Sequence, residues 1–101
     1  MARGIRWSGR ASDDLLEILE FWRTKTQSPN YSKKLYRLIQ DSVQLIALRP
    51  NIGRPTNYPG VRIKIIRDYL IYYRLKDEFI EIILLWDGRR NPEILKRLLR
   101  D

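Results

Sequence analysis

The chain has 101 residues, the length of one domain with a single hydrophobic core. It contains no cysteine and no histidine, which excludes disulfide frameworks, thiolate zinc sites, cysteine nucleophiles and the usual proton carrier of neutral-pH catalysis. The formal net charge of +8 favours an anionic partner, either nucleic acid or an acidic protein segment. We expect one domain over 1–101, with no metal ion and no cofactor.

The start of the chain, MARGIRWSGRAS, lacks the long apolar centre of a signal peptide. No apolar run in the sequence is long enough to span a bilayer. These features predict a soluble, cytoplasmic protein without a membrane partner.

The first elements are a short strand at Ile5-Arg6-Trp7 and a helix over about 10–26 that Ser8 or Ser12 caps. The buried stripe of this helix consists of Ala11, Leu15, Ile18, Leu19 and Trp22. The acidic residues near its start are interpreted as first-turn charges that complement the helix dipole: Asp13, Asp14 and Glu17.

A helix breaker at Ser28-Pro29-Asn30 separates the first helix from a second one, and the short connection predicts an antiparallel helical hairpin. The second helix ends near Leu48 or Arg49, because Pro50 disfavours helical geometry in the residue before it. Its buried stripe consists of Leu35, Leu38, Ile39, Ser42, Leu45 and Ile46.

After a proline-rich loop over 50–60, the segment 61–87, VRIKIIRDYLIYYRLKDEFIEIILLWD, predicts a three-stranded antiparallel meander. Asn91 then caps a short C-terminal helix that has Pro92 at its first position, and its apolar residues are Ile94, Leu95, Leu98 and Leu99. The predicted fold class is α+β, with the helical hairpin packed on a small antiparallel sheet (β-α-α-β-β-β and a short C-terminal helix).

Both faces of the last strand are apolar. Strict alternation places Ile80, Ile82, Leu84 and Trp86 on one face, and Phe79, Ile83 and Leu85 on the other. A sheet with one solvent-exposed face alternates apolar and polar residues, so the second face needs a cover, either the C-terminal segment or a partner chain.

The register of the meander decides how its cations are arranged. A turn centred on Asp77-Glu78 pairs Arg74 with Glu81 across the strands, and Tyr72 with Ile83. A three-residue first turn places Arg62 opposite Arg74 and gathers the strand cations into an anion site, whereas a two-residue turn divides them between the two faces. Both registers are open at the level of sequence.

The chain resembles the RelE/ParE toxin superfamily of bacterial toxin–antitoxin modules over nearly its whole length. The likeness comprises IRWSGRA, DDLLEILEFW, ALRPNIGRP, VRIKIIRDYLIYYRL and WDGRRNPE, in this order and spacing. The resemblance implies a helical hairpin on an antiparallel sheet. It also implies a cognate antitoxin, encoded next to the toxin, that wraps and neutralises it.

Members of the superfamily act in two ways. RelE-like toxins are ribosome-dependent mRNA endoribonucleases that use lysines and arginines around the sheet, often with a C-terminal Tyr or His, whereas ParE-like toxins inhibit DNA gyrase. The resemblance implies Lys64, Arg67 and Arg74 as catalytic residues in the nuclease branch only, where Tyr72 or Tyr73 would have to supply the acid. Gly53-Arg54-Pro55 and the missing histidine favour the ParE-like branch.

For a ParE-like toxin the candidate target-binding residues are Arg62, Trp86, Arg89 and Arg90. The expected partners are the antitoxin and DNA gyrase, or the ribosome and mRNA in the alternative. A third hypothesis is a non-toxic basic nucleic-acid-binding module, although the chain lacks the glycine–aromatic signature of common RNA-binding sheets.

Overall fold

The structure is a computed structural model that describes residues 3–100, except for the side chains of residues 98 and 100. The elements in chain order are β1 (Gly4–Trp7), α1 (Gly9–Thr26), α2 (Asn30–Leu48), β2 (Arg54–Pro55), β3 (Val61–Ile66), β4 (Tyr69–Lys76), β5 (Phe79–Asp87) and α3 (Pro92–Arg100). This order confirms the predicted α+β fold. The two-residue strand β2, inside the proline-rich loop, was not predicted.

The five strands form one sheet in the order β1-β5-β4-β3-β2. The predicted antiparallel meander is present as β3, β4 and β5. The sheet is mixed at one edge, because β1 pairs with β5 in parallel, Ile5 opposite Ile80. Parallel neighbours need a long crossover connection, and the helical hairpin together with the intervening strands supplies it.

Ser8, and not Ser12, caps α1: its Oγ accepts a hydrogen bond from the backbone N–H of Ala11 at 2.9 Å. The first turn therefore contains no acidic residue. The interpretation of Asp13, Asp14 and Glu17 as first-turn charges is wrong, since the helix starts at Gly9 and these residues follow in later turns.

The main core lies between the helical hairpin and the sheet. It consists of Ala11, Leu35, Ile39, Val43 and Ile46 from the helices and of Tyr69, Ile71, Tyr73, Ile80, Ile82 and Leu85 from the strands. Trp22 packs against it and donates its indole N–H to the hydroxyl oxygen of Tyr69 at 2.7 Å. We call this side of the sheet the hairpin face.

A β-bulge in β5 changes which side chains reach each face. Tyr73 pairs with Ile82 but Tyr72 pairs with Leu84, so Ile83 has no direct partner in β4. A bulge inserts one residue and reverses the alternation beyond it. The predicted placement of Leu84 and Trp86 beside Ile82 is therefore wrong, and so is the pairing of Tyr72 with Ile83.

The opposite side of the sheet, the α3 face, carries a second and smaller core. Its buried residues are Val61, Tyr72, Leu84, Trp86 and Leu95. Of the two covers considered, the C-terminal segment is present: α3 places Leu95 and Leu99 against the sheet. The predicted cap is confirmed, because the Asn91 Oδ1 accepts from the backbone N–H of Glu93 at 2.9 Å, whereas the Leu98 side chain lies outside the described residues.

Candidate binding site at the tip of the sheet

The first turn of the meander contains two residues, since Ile66 pairs with Tyr69. In this register Lys64 lies opposite Ile71, on the hairpin face, and Arg74 lies opposite Val61, on the α3 face. The register that gathers the strand cations is wrong. Lys64 and Arg74 are divided between the two faces, and Arg67 lies in the turn itself.

Arg74 forms the predicted cross-strand ion pair, with its Nε 2.7 Å from the Glu81 Oε1. The two side chains are 43% and 25% exposed. Cross-strand pairs of opposite charge contribute about 0.2–1 kcal/mol. The pair engages the Nε of Arg74 and lies on the α3 face, whereas Lys64 lies on the hairpin face.

The two tyrosines considered as general acids are both buried, and burial is the main cause of the raised pKa of each phenol. The Tyr73 hydroxyl donates to the carbonyl of Pro50 at 2.7 Å and accepts from the backbone N–H of Gly53 at 2.8 Å. It is thus engaged in holding the loop over 50–55. Tyr72 and Tyr73 are 5% and 1% exposed, so both side chains are largely withdrawn from solvent.

Arg62, a predicted target-binding residue, is directed to the same loop. Its Nη1 donates to the carbonyl oxygen of Gly53 at 2.7 Å and to that of Asn51 at 3.4 Å. A side chain committed to these carbonyls fixes the loop in place. The contact is within the chain, which argues against the predicted role of Arg62.

Trp86, the second predicted target-binding residue, is only 1% exposed. Its ring lies in the core of the α3 face because the bulge directs it there. In this conformation Trp86 presents almost no surface to a target. It acts instead as a support, since the Arg90 guanidinium lies 4.7 Å above its ring centre, within the range of a cation–π contact.

The remaining predicted residues, Arg89 and Arg90, are exposed at one end of the sheet. There the backbone N–H of Gly88 donates to the carbonyl of Asp68 at 2.8 Å, which ties the loop after β5 to the turn between β3 and β4. We call this end, formed by 67–68 and 87–90, the cationic tip. It contains three arginines, Arg67, Arg89 and Arg90, and two aspartates, Asp68 and Asp87.

Arg89 is held by two side-chain hydrogen bonds to Asp87, Nε to Oδ1 at 2.9 Å and Nη2 to Oδ2 at 2.8 Å. The backbone N–H of Arg89 also donates to the Asp87 Oδ1 at 2.9 Å. The hydrogen bond from Arg89 is the main cause of the lowered pKa of Asp87, and in return Asp87 raises the pKa of Arg89. The two-pronged contact orients an exposed arginine and leaves its Nη1 outside the ion pair with Asp87.

The sequence model described as the ParE toxin of the type II toxin–antitoxin system parDE matches residues 5–92, most of the chain. The chain belongs to the ParE toxin family. It is a ParE-type toxin of a type II toxin–antitoxin system.

Relatives of this ParE-type toxin agree with the assignment. It is 29% identical to Toxin ParE2 of Mycobacterium tuberculosis over 99 residues, which cover 95% of this chain and 91% of the relative. Its fold is similar to that of the chromosomal ParDE toxin–antitoxin system from P. aeruginosa, with a TM-score of 0.73 and 24% identity over 83% of this chain and 94% of the other.

A mutant of the E. coli toxin RelE in the free state has the same fold, with a TM-score of 0.65 over 99% of this chain and 97% of the other. The identity is 12%, so the likeness shows the fold alone. ParE-type and RelE-type toxins therefore share an architecture. The positions of individual side chains must distinguish their mechanisms.

The structure also gives the ParE-type toxin a buried acidic residue that the sequence interpretation missed. Asp14, with 6% exposure, accepts hydrogen bonds from the backbone N–H of Leu85 at 3.1 Å and from the Arg10 Nε at 2.8 Å. The strand β1 ends opposite Ile82, and Asp14 satisfies the edge of β5 beyond that point. The available signal was that Asp14 lies between apolar-stripe residues of α1, four residues after Arg10.

No helix among residues 3–100 of the ParE-type toxin combines the length and the apolar character needed to cross a membrane.

Proposed function

We propose that this ParE-type toxin arrests growth by inhibiting DNA gyrase and that a cognate antitoxin neutralises it. The observation that carries the proposal is the separation of the candidate nuclease residues. Lys64 and Arg74 lie on opposite faces of the sheet, and Arg74 is paired with Glu81. Membership in the ParE toxin family supports the same conclusion.

The chemistry of RNA cleavage argues in the same direction. Attack by a 2′-hydroxyl needs a base, an acid and stabilisation of the phosphate charge at one place. Here Lys64, the candidate base, lies on the opposite face from Arg74, and Arg67, the other candidate phosphate ligand, lies in the turn. The candidate acids, Tyr72 and Tyr73, are buried with raised pKa values. This arrangement supports a toxin that acts by binding its target.

The cationic tip is the surface that we assign to the target. Arg89 and Arg90 are exposed there, and each is held by a neighbour, Arg89 by Asp87 and Arg90 by Trp86. Side chains that are held before binding lose less conformational entropy when a complex forms. We propose that they contact an acidic surface of gyrase.

The antitoxin part of the proposal rests on family, charge and exposed apolar surface. The neighbour from P. aeruginosa is described as a toxin–antitoxin system, and the net charge of +8 suits an acidic partner segment. Several large apolar side chains are half exposed, Phe21 and Leu48 among them. An acidic, amphipathic antitoxin segment would match both properties. Co-expression of the neighbouring gene's product should restore growth, and continued arrest would exclude that product as the antitoxin.

Two assays run in parallel test the target. Purified toxin is titrated into a gyrase supercoiling reaction and into a translation reaction with labelled mRNA. We expect loss of supercoiling and intact mRNA, and the variant Arg74→Ala should behave as the wild type in both. Cleavage of mRNA in phase with codons, with supercoiling unaffected, would overturn the proposal and favour the RelE-like alternative.

A further inference from the structure

Arg67 has a backbone conformation that arginine rarely adopts. Its φ is +52°, in the left-handed region, where the side chain of an L-residue other than Asn or Asp is disfavoured. Two further non-glycine residues among those described share this feature, Gln27 and Asp77. Gln27 is the C-terminal cap of α1, a position at which left-handed geometry is common. Asp77 is a residue type that tolerates the conformation in turns.

The two hairpin turns of the meander therefore make a matched pair. Each has two residues and each has its left-handed residue first, Arg67 in one turn and Asp77 in the other. The turn at Asp77 contains a residue that suits its backbone. The turn at Arg67 has an arginine in the same position, and the fold alone gives no reason for an arginine there.

The described surroundings of Arg67 supply no contact that compensates for this conformation. The hydrogen bond from Gly88 to Asp68 places the Arg67 turn beside the loop that carries Arg89 and Arg90. The Arg67 side chain is exposed and makes no ion pair or side-chain hydrogen bond with another described residue. The isolated toxin thus keeps Arg67 in an unfavourable backbone conformation, in a turn that lies beside the loop with the other two arginines.

We propose that Arg67 is a target-contacting residue and that it completes, with Arg89 and Arg90, one cationic surface for an acidic patch on the target. A contact with the target would offset the backbone strain of Arg67, and strained residues commonly lie at functional sites. That this patch belongs to gyrase rests on the proposed function. That Arg67 contacts the target is independent of which macromolecule the target is.

The variant Arg67→Asn tests the inference, because asparagine tolerates the left-handed conformation and carries no charge. We expect a thermal midpoint equal to or above that of the wild type. We also expect an inhibitory concentration in the supercoiling assay about tenfold higher, equivalent to about 1.4 kcal/mol of binding free energy. Growth arrest on induction should weaken at an equal level of soluble protein.

The matched control is Asp77→Asn, which makes a comparable change in the other turn and should leave inhibition and growth arrest unchanged. Should Arg67→Asn unfold, Arg67→Gly replaces it, since glycine adopts the left-handed region without steric cost. Full growth arrest by a folded Arg67 variant would overturn the inference. A lowered thermal midpoint in both Arg67 variants would also overturn it, because Arg67 would then be a structural residue.

The growth assay separates this inference from the proposed function. If the wild type arrests growth but leaves gyrase active, the gyrase proposal fails, and Arg67 is still judged by growth arrest alone. If gyrase is inhibited equally by the wild type and by Arg67→Asn, the gyrase proposal stands and the role of Arg67 fails.

Discussion

The two faces of the sheet are filled to different degrees. On the hairpin face eleven of the described residues form a buried cluster, and the polar groups that enter it have partners, such as the Trp22 indole with Tyr69. On the α3 face the buried cluster has five members, and Ile65 beside it is 46% exposed. The first face stabilises the fold, while the second supports the arginines that are available for binding, Arg90 above Trp86 in particular.

Truncation of one core residue on each face should give the largest contrast. Ile39 on the hairpin face is 1% exposed, so Ile39→Ala leaves a buried cavity. Truncations of this kind cost about 2–5 kcal/mol of unfolding free energy. Leu95→Ala in α3 should cost clearly less, since Leu95 lies at the margin of its cluster with 9% exposure. Denaturant unfolding measures both free energies. Equal losses would mean that the two faces stabilise the protein equally.

The hydroxyl of Tyr73 provides a smaller test on the hairpin face. Tyr73→Phe removes the partner of the Gly53 N–H and of the Pro50 carbonyl and should cost about 1–3 kcal/mol of unfolding free energy. The matched control is Tyr36→Phe, because the Tyr36 hydroxyl is exposed and accepts from Gln40 only. Its change should stay within about 0.5 kcal/mol. Similar losses of unfolding free energy in both variants would show that the buried hydrogen bonds of Tyr73 stabilise the protein no more than the exposed one of Tyr36.

The two aspartates with shifted pKa values should give pH dependences of opposite sign. The pKa of Asp14 is raised above its ordinary value, chiefly by burial, so its contribution to stability falls as pH rises from about 3.8 through the folded-state pKa. The pKa of Asp87 is lowered, chiefly by the hydrogen bond from Arg89, so its contribution is present above about pH 3.8 and is lost as pH falls through the folded-state pKa.

Unfolding free energies of the wild type, Asp14→Asn and Asp87→Asn across the acidic range measure these contributions. As pH rises, the unfolding free energy of the wild type should fall relative to that of Asp14→Asn. Over the same range, the unfolding free energy of the wild type should rise relative to that of Asp87→Asn. Slopes of the same sign would contradict the environments assigned to the two carboxyl groups.

The ion pair on the α3 face should have the smallest effect. Arg74→Ala and Glu81→Ala are each expected to cost about 0.2–1 kcal/mol, because the pair is partly exposed. Growth arrest by Arg74→Ala should equal that of the wild type. A folded Arg74→Ala toxin that fails to arrest growth would show that Arg74 is a functional residue.

Periodicity in the sequence predicted the helices and the meander because their stripes are long and unbroken, Ala11 to Trp22 in α1 for example. It could not predict the faces of Leu84 and Trp86, because the bulge at Ile83 reverses the alternation without a residue type that marks it. The parallel pairing of β1 also depends on tertiary packing of the hairpin, which local pattern does not encode.

The candidate site was predictable in part. Arg89 and Arg90 were candidates from the resemblance, and the structure leaves both exposed. Arg62 and Trp86 are used inside the chain for reasons of register and bulge geometry. The left-handed conformation of Arg67 is a property of the folded turn, and the dipeptide Arg-Asp gives no signal for it.

Titration of gyrase supercoiling with two double variants beside the wild type gives the decisive comparison. Arg89→Gln/Arg90→Gln removes charge from the cationic tip, and Lys64→Ala/Arg74→Ala removes the candidate nuclease cations. If the toxin acts by binding through the tip, the first variant inhibits at least about tenfold more weakly while folded, and the second equals the wild type. Full inhibition by Arg89→Gln/Arg90→Gln, together with loss of inhibition in Lys64→Ala/Arg74→Ala, would contradict this account.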